Sequence, residues 1–228
     1  MSDTHTTNMA DVRDMYMAHT MFRREFTLLP ELFRGVSPGD VRRTEVVGAY
    51  ADMLCRLLHL HHEGEDELLW PRLAERAGDE AAAIVPVMEE QHQAIEEAST
   101  RAAALIPRFR ATGEDGTELA EGFAILLPAL TEHMALEEEQ ILPLAKKHIT
   151  AAEWKQLGEH GMSRFRKKEL MLTFGLVMYE GDPDVIKDVL AEAPLLARLL
   201  MSIFGPRMFA AHATRVHGTP NPPRTLSS

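Results

Sequence analysis

The chain has 228 residues, 45% of them hydrophobic and 26% charged, which is enough apolar material for a packed core and excludes a disordered composition. Its formal net charge of −11 lacks the basic footprint that nucleic-acid phosphates demand, and it is equally unsuited to an anionic membrane surface. The single cysteine, Cys55, cannot form an internal disulfide, which fits a reducing, cytoplasmic setting.

The polar start, Met1 to Ala10, carries no apolar signal region. No run approaches the roughly eighteen apolar residues of a membrane span. Helical periodicity dominates, so an all-α fold is expected. A first helix is predicted over Asn8–Leu29, with Val12, Met15, Tyr16, His19, Phe22 and Phe26 on its inward stripe, ended by Pro30 and the Gly35–Gly39 stretch. Ser37-Pro38 reads as the start of a second, with a capping hydroxyl and then proline at the first helical position. It should run to Arg76, bent near Pro71 and stopped by Gly78. A third covers Asp79–Phe109 with a bend at Pro86. The turn cluster Thr112–Gly116 follows, and a fourth helix covers Thr117–Lys147 with Pro128 inside it.

Four long helices with short connections predict an up-down antiparallel bundle over residues 1–148. Thr150-Ala151-Ala152-Glu153 is a capping-box signature for a fifth helix. Further helices are expected over Pro183–Leu200 and Pro206–Val216, making residues 149–217 a helical extension that packs on the bundle. The tail, residues 218–228, is expected to be disordered.

Two stretches of the bundle spell the same chemistry. His61 is followed by Glu65 and then by Leu69-Trp70-Pro71, and His133 by Glu137 and then by Ile141-Leu142-Pro143. A lone histidine precedes each at nearly equal distance, His19 by 42 residues and His92 by 41. Positions i and i+4 of a helix share a face, so each His-Glu pair can reach one centre. Four imidazoles (His19, His61, His92, His133) and two carboxylates (Glu65, Glu137) exceed one tetrahedral zinc site and suit two ions with bridging carboxylates, iron first and manganese next. Buried without a cation, they would cost several kcal/mol.

Three further candidates stand beside these six. His62 and Asp66 repeat the spacing one residue out of phase, and one step rotates a pair by about 100°, so both pairs are not expected to face the core equally. Glu96, four residues after His92, is a ligand, an exposed residue or a hydrogen-bonding partner of the metal histidines. Tyr50, 11 residues before His61 and so close to three full turns, shares its stripe. It is either a proton donor beside the centre or a core tyrosine. His59 reads as surface, and His5, His148, His160, His212 and His217 have no matching carboxylate.

These motifs, with Phe22-Arg23-Arg24-Glu25 after His19 and Glu90-Gln91 before His92, resemble the hemerythrin-like, HHE cation-binding family over residues 1–148. The resemblance implies a four-helix bundle around a non-haem di-iron centre, commonly oxo- or hydroxo-bridged. Oxygen-carrying hemerythrins have an extra histidine in the third helix and an aspartate five residues after the fourth-helix histidine, where this chain has Glu96 and Glu138. The chain is therefore closer to members with four histidines and two bridging glutamates. Such relatives are linked to peroxide breakdown, nitric oxide chemistry, iron–sulfur repair and sensing.

Three functions follow as expectations. One is a peroxidase- or catalase-like, or nitric oxide-processing, di-iron oxidoreductase in oxidative or nitrosative stress defence, drawing on an unknown reductant. Another is reversible binding or sensing of O2 or NO without turnover. The third is iron storage or a purely structural metal bundle. A monomer or homodimer is expected, with a small molecule (O2, H2O2 or NO) as its ligand and neither nucleic acid nor membrane as partner.

Overall fold

The structure, a computed structural model, describes residues 8–165, 167–192 and 195–225. The chain start through residue 7, with His5, lies outside them, as do residues 226–228 of the expected disordered tail. Among the described residues every regular element is helical.

α1 (Arg13–Arg34) starts later than expected and runs through Pro30 to Gly35. Its buried stripe is Met15, His19, Phe22, Phe26, Leu29 and Phe33, while Tyr16 lies at the surface. α2 (Val41–Gly64) starts three residues beyond Ser37-Pro38, because the Asp40 carboxylate accepts the Arg43 amide at 2.9 Å and fixes the cap there.

α2 continues without a break through a π-helical turn, π1 (Glu65–Leu69), into α3 (Trp70–Arg76). The fourth long helix does the same: α6 (Thr117–Leu136) passes through π2 (Glu137–Ile141) into α7 (Leu142–His148). In each, the amide after the π turn bonds five residues back, to the carbonyls of Glu65 and Glu137. Proline follows at once, Pro71 and Pro143. A proline lacks the N–H of the α-helical ladder and crowds the carbonyl four residues earlier, and the wider turn absorbs that conflict.

Between them run α4 (Asp79–Ala103) and α5 (Ile106–Thr112). The interruption falls just before Pro107, which sits in the first turn of α5, so the helix expected to be continuous to Phe109 is two. α5 stops at Gly113, whose φ of 68° is one that glycine adopts without strain.

α1, α2, α4 and α6 form a closed ring of four, each packed on two neighbours. α6–α7 is also apolar enough in length and composition to cross a membrane. It packs on α1 and α4 and carries His133 and Glu137, the composition of a core helix.

The interior is layered. One apolar cluster holds Phe22, Leu58, Ile95 and Leu130, and the other Met15, Leu69, Met88 and Ile141. On each helix the predicted metal ligands fall between the residues of one cluster and those of the other. The bundle thus places a polar layer between two dry ones, which fix its helices from both sides. Each large apolar side chain in those layers contributes about 1.5–3 kcal/mol by leaving water.

α8 (Ala151–Ser163) is capped as its sequence predicts: the Thr150 amide donates to Glu153 Oε2 at 3.0 Å and the Glu153 amide to Thr150 Oγ1 at 3.3 Å. It lies on α2 and π1. α9 (Lys167–Met178) was not expected as a separate element; it packs on α1, as does α10 (Pro183–Glu192). α11 (Leu195–His217) runs through Pro206, where a break was expected, and packs on α9 and α2. The expected disorder of the tail does not extend over residues 218–225. Tyr179 donates to Pro222 O at 2.9 Å, and the Thr225 amide donates to Glu180 Oε1 at 2.7 Å.

Candidate metal centre

The polar layer holds seven inward side chains in two groups, His19, His61, Glu65 and Glu137 in one and His62, His92 and His133 in the other. In each group the ligating atoms lie within 4.8 Å of one another.

Two carboxylates join the groups. Glu65 sets Oε1 3.3 Å from His61 Nε2 and Oε2 3.4 Å from His92 Nε2. Glu137 Oε2 lies 3.1 Å from His19 Nε2 and 3.8 Å from His133 Nε2. Both glutamates are the first residues of the π turns, so the same local widening aims a carboxylate across the bundle from α2 and from α6.

A second set of groups holds the imidazoles from behind. Glu138 accepts from His19 Nδ1 at 2.9 Å and from Arg23 at 2.7 Å. Asp66 accepts from His92 Nδ1 at 2.7 Å and from Trp70 Nε1 at 2.8 Å. Gln91 accepts from His133 Nδ1 at 3.2 Å. Holding Nδ1–H outward aims Nε2 of each ring inward, where a metal would take the place of any proton that it carries. The arrangement repeats: each bridging glutamate is followed by an acid that orients a histidine on a different helix.

Burial sets the charges. It is the largest influence on His61 and, reinforced by the charge of His19, lowers that imidazole to about 3. His133 falls to about 3 through burial and the charge of His92. Both are therefore neutral, ligand-ready bases at neutral pH. Burial also works against a charge on His19, but Glu137 and Glu138 outweigh it and raise the ring to about 9. Glu65 is raised by burial and by the charge of Glu137. Burial raises Glu137 too, but the imidazoles around it prevail and hold it low.

The fit to a cation rests on unpaired atoms. His19 Nε2, His61 Nε2, His62 Nε2 and all four carboxylate oxygens of Glu65 and Glu137 are buried without a hydrogen-bond partner. Burying such groups unpaired costs on the order of several kcal/mol, and cations at their focus satisfy all of them at once.

The structure brings His19, His61, Glu65, His92, His133 and Glu137 together. His62 joins them, although only one of the adjacent pairs was expected to face the core. Neighbouring helical residues diverge by about 100°, so two that straddle the inward direction each lie about 50° from it and reach different halves of the centre. Asp66 is not among the converging ligands but holds His92. Glu96 lies outside, half exposed and 3.2 Å from His59 Nδ1.

Tyr50 is not beside the centre. Its hydroxyl donates to Glu25, and its ring packs on His212 and His217. It shares a stripe with His61 but sits 11 residues earlier, about 16 Å along the axis. Glu138 and Gln91 had no assigned role. The signal for Glu138 was the matched position of Asp66, each directly following a ligating glutamate.

A four-helix ring closed around histidines and bridging carboxylates defines a helical-bundle protein with a built site for metal. The Hemerythrin HHE cation binding domain matches residues 10–145, and the chain belongs to that family, whose members bind iron. Comparisons with characterised proteins and with solved structures returned no match.

Proposed function

We propose that the chain holds two iron ions and uses them to reduce small oxidants, hydrogen peroxide first and nitric oxide or dioxygen next, in defence against oxidative or nitrosative stress. The observation that carries this reading is the pair of donor groups joined by Glu65 and Glu137. Five imidazoles and two carboxylates bring only two negative charges to the layer. Two divalent cations held there keep a positive surplus, which favours an electron-rich small ligand. Iron would supply Lewis acidity and pass electrons to such a ligand from an external reductant or, where oxygen is released, from a second molecule of hydrogen peroxide.

The chain's own residues prepare the site. Asp66, Glu138 and Gln91 fix three ring orientations. Phe22 packs on the His61 ring and Trp70 on the His92 ring, which restricts their rotation. His19 and His61 with Glu65 and Glu137 would hold one ion, and His62, His92 and His133 the other.

Iron-loaded protein is expected to consume hydrogen peroxide in proportion to its iron content, read as oxygen release or donor oxidation. His61→Ala is expected to abolish this with helicity retained. Undiminished consumption by that variant contradicts the assignment, and stable O2 or NO adducts without turnover favour reversible binding instead.

A further inference from the structure

α8 turns Trp154, Leu157, Gly158 and Gly161 to one side, at positions i, i+3, i+4 and i+7, and all four line a cleft of about 200 Å3. Its other walls come from α1, α2 and α9, among them Met21, Phe22, Leu57, Thr173 and Val177, and His61 of the metal centre. Two glycines stand on its α8 wall, Gly158 at the exposed rim and Gly161 half-buried. Neither has a positive φ, and a Cβ on either would meet nothing within 4 Å. Backbone strain and close packing therefore do not require them, and each weakens the helix relative to alanine. What they leave is space.

The lining is apolar, and the Asp14 carboxylate on its wall already accepts Trp154 Nε1 at 3.0 Å. An organic anion would find no counter-charge there. Among the described residues, the buried hydroxyl of Thr173 has no hydrogen-bond partner. His61 also differs from three of the other ring ligands. His19, His92 and His133 have Nδ1 held by Glu138, Asp66 and Gln91, whereas the His61 ring borders the cleft and is 15% exposed. At about 200 Å3 and open to solvent on one side, the cleft has room for a single substituted ring.

We propose that the cleft is a binding site for a small, neutral, monocyclic organic molecule bearing one hydroxyl, seated between α8 and the His61 side of the metal centre with its hydroxyl on Thr173. The helical extension thus adds an organic ligand site to the bundle. Binding there does not require the oxidant chemistry proposed above.

The test is calorimetric titration of the full-length, metal-loaded protein with 4-methylphenol. Saturable one-to-one binding is expected. Gly161→Leu and, independently, Gly158→Leu should weaken it about tenfold or more by filling the space, with metal content and helical circular dichroism unchanged. Gly161→Ala should bind as the wild type does. Absence of saturable binding to the wild type, or wild-type affinity in both folded leucine variants, overturns the proposal. A protein that binds 4-methylphenol but leaves peroxide intact contradicts the proposed function and leaves the cleft standing.

Discussion

Glu65→Gln should stabilise the metal-free protein while destroying its response to iron. The Glu65 carboxyl is fully buried, both oxygens lack a hydrogen-bond partner, and burial together with the charge of Glu137 raises it from 4.5 to about 7. Between those values the folded chain keeps a proton on Glu65 that the unfolded chain has released, so the Glu65 contribution to metal-free stability falls as pH rises through the window. The penalty falls on the ionised form, which the unpaired carboxylate must adopt above the window. Glutamine keeps the shape and removes the charge but leaves polar atoms unmet, so a gain of about 1–3 kcal/mol is expected. At about 2–4 °C per kcal/mol for a chain of this size, Tm should rise by about 3–10 °C.

Scanning calorimetry at neutral pH after chelation, repeated across pH 4.5 to 7, reads both effects. Both proteins should gain stability over the lower part of that range, where the unfolded chain protonates His61 and His133 and the folded chain does not, and the wild type should gain less than the variant because Glu65 opposes the rise in it alone. On adding iron the order should reverse, because the wild type gains binding energy that the variant has lost. A metal-free variant less stable than the metal-free wild type would refute the reasoning, since it would mean that the carboxylate is already satisfied by the protein.

Other outcomes follow from the same geometry. His62→Ala should lower the iron bound per chain from about two to about one, by removing a donor from one group only, and elemental analysis reads it. His59→Ala and Glu96→Gln, on exposed side chains, should leave it unchanged. Asp66→Asn should weaken metal affinity by about 10- to 100-fold through loss of the charge that orients His92, measured by competition with a chelator. Glu25→Ala should destabilise the chain by about 1–3 kcal/mol with metal content unchanged, because it leaves the Tyr50 hydroxyl and Arg24 Nε without their buried acceptor while Glu180 still pairs Arg24. Denaturant unfolding reads that loss.

The bundle was legible because its helices carry long apolar stripes and its turns carry glycine and proline. The ligands on those stripes were legible because the His-x-x-x-Glu spacing occurs twice. Angle alone, however, does not fix depth. Tyr50 has the right angle for His61 and the wrong level, and its hydroxyl belongs to a buried polar cluster of Arg24, Glu25 and His217. That cluster joins α1 and α2 to α11, and the contact could not be read from spacing within one helix. Arg24 also reaches Glu180 at 2.6 Å and Leu176 O at 2.8 Å, so the extension is clasped by residues far apart in sequence.

His62 shows the opposite error. Treating the inward direction as one ray admits a single residue per turn, whereas a centre with two halves accepts both members of an adjacent pair. The π turns were the remaining gap. Pro71 and Pro143 announce a disturbance of the helix, but whether it becomes a bend or a widened turn depends on the packing of Leu69 and Ile141 into the neighbouring apolar layer.

Crystals of the iron-loaded protein, measured on both sides of the iron absorption edge, address the core of the account. Two anomalous peaks per chain are predicted, one enclosed by His19, His61, Glu65 and Glu137 and the other by His62, His92 and His133, with both glutamates between them. A single peak, or imidazoles rotated away from the bundle axis with no peak among them, would contradict it.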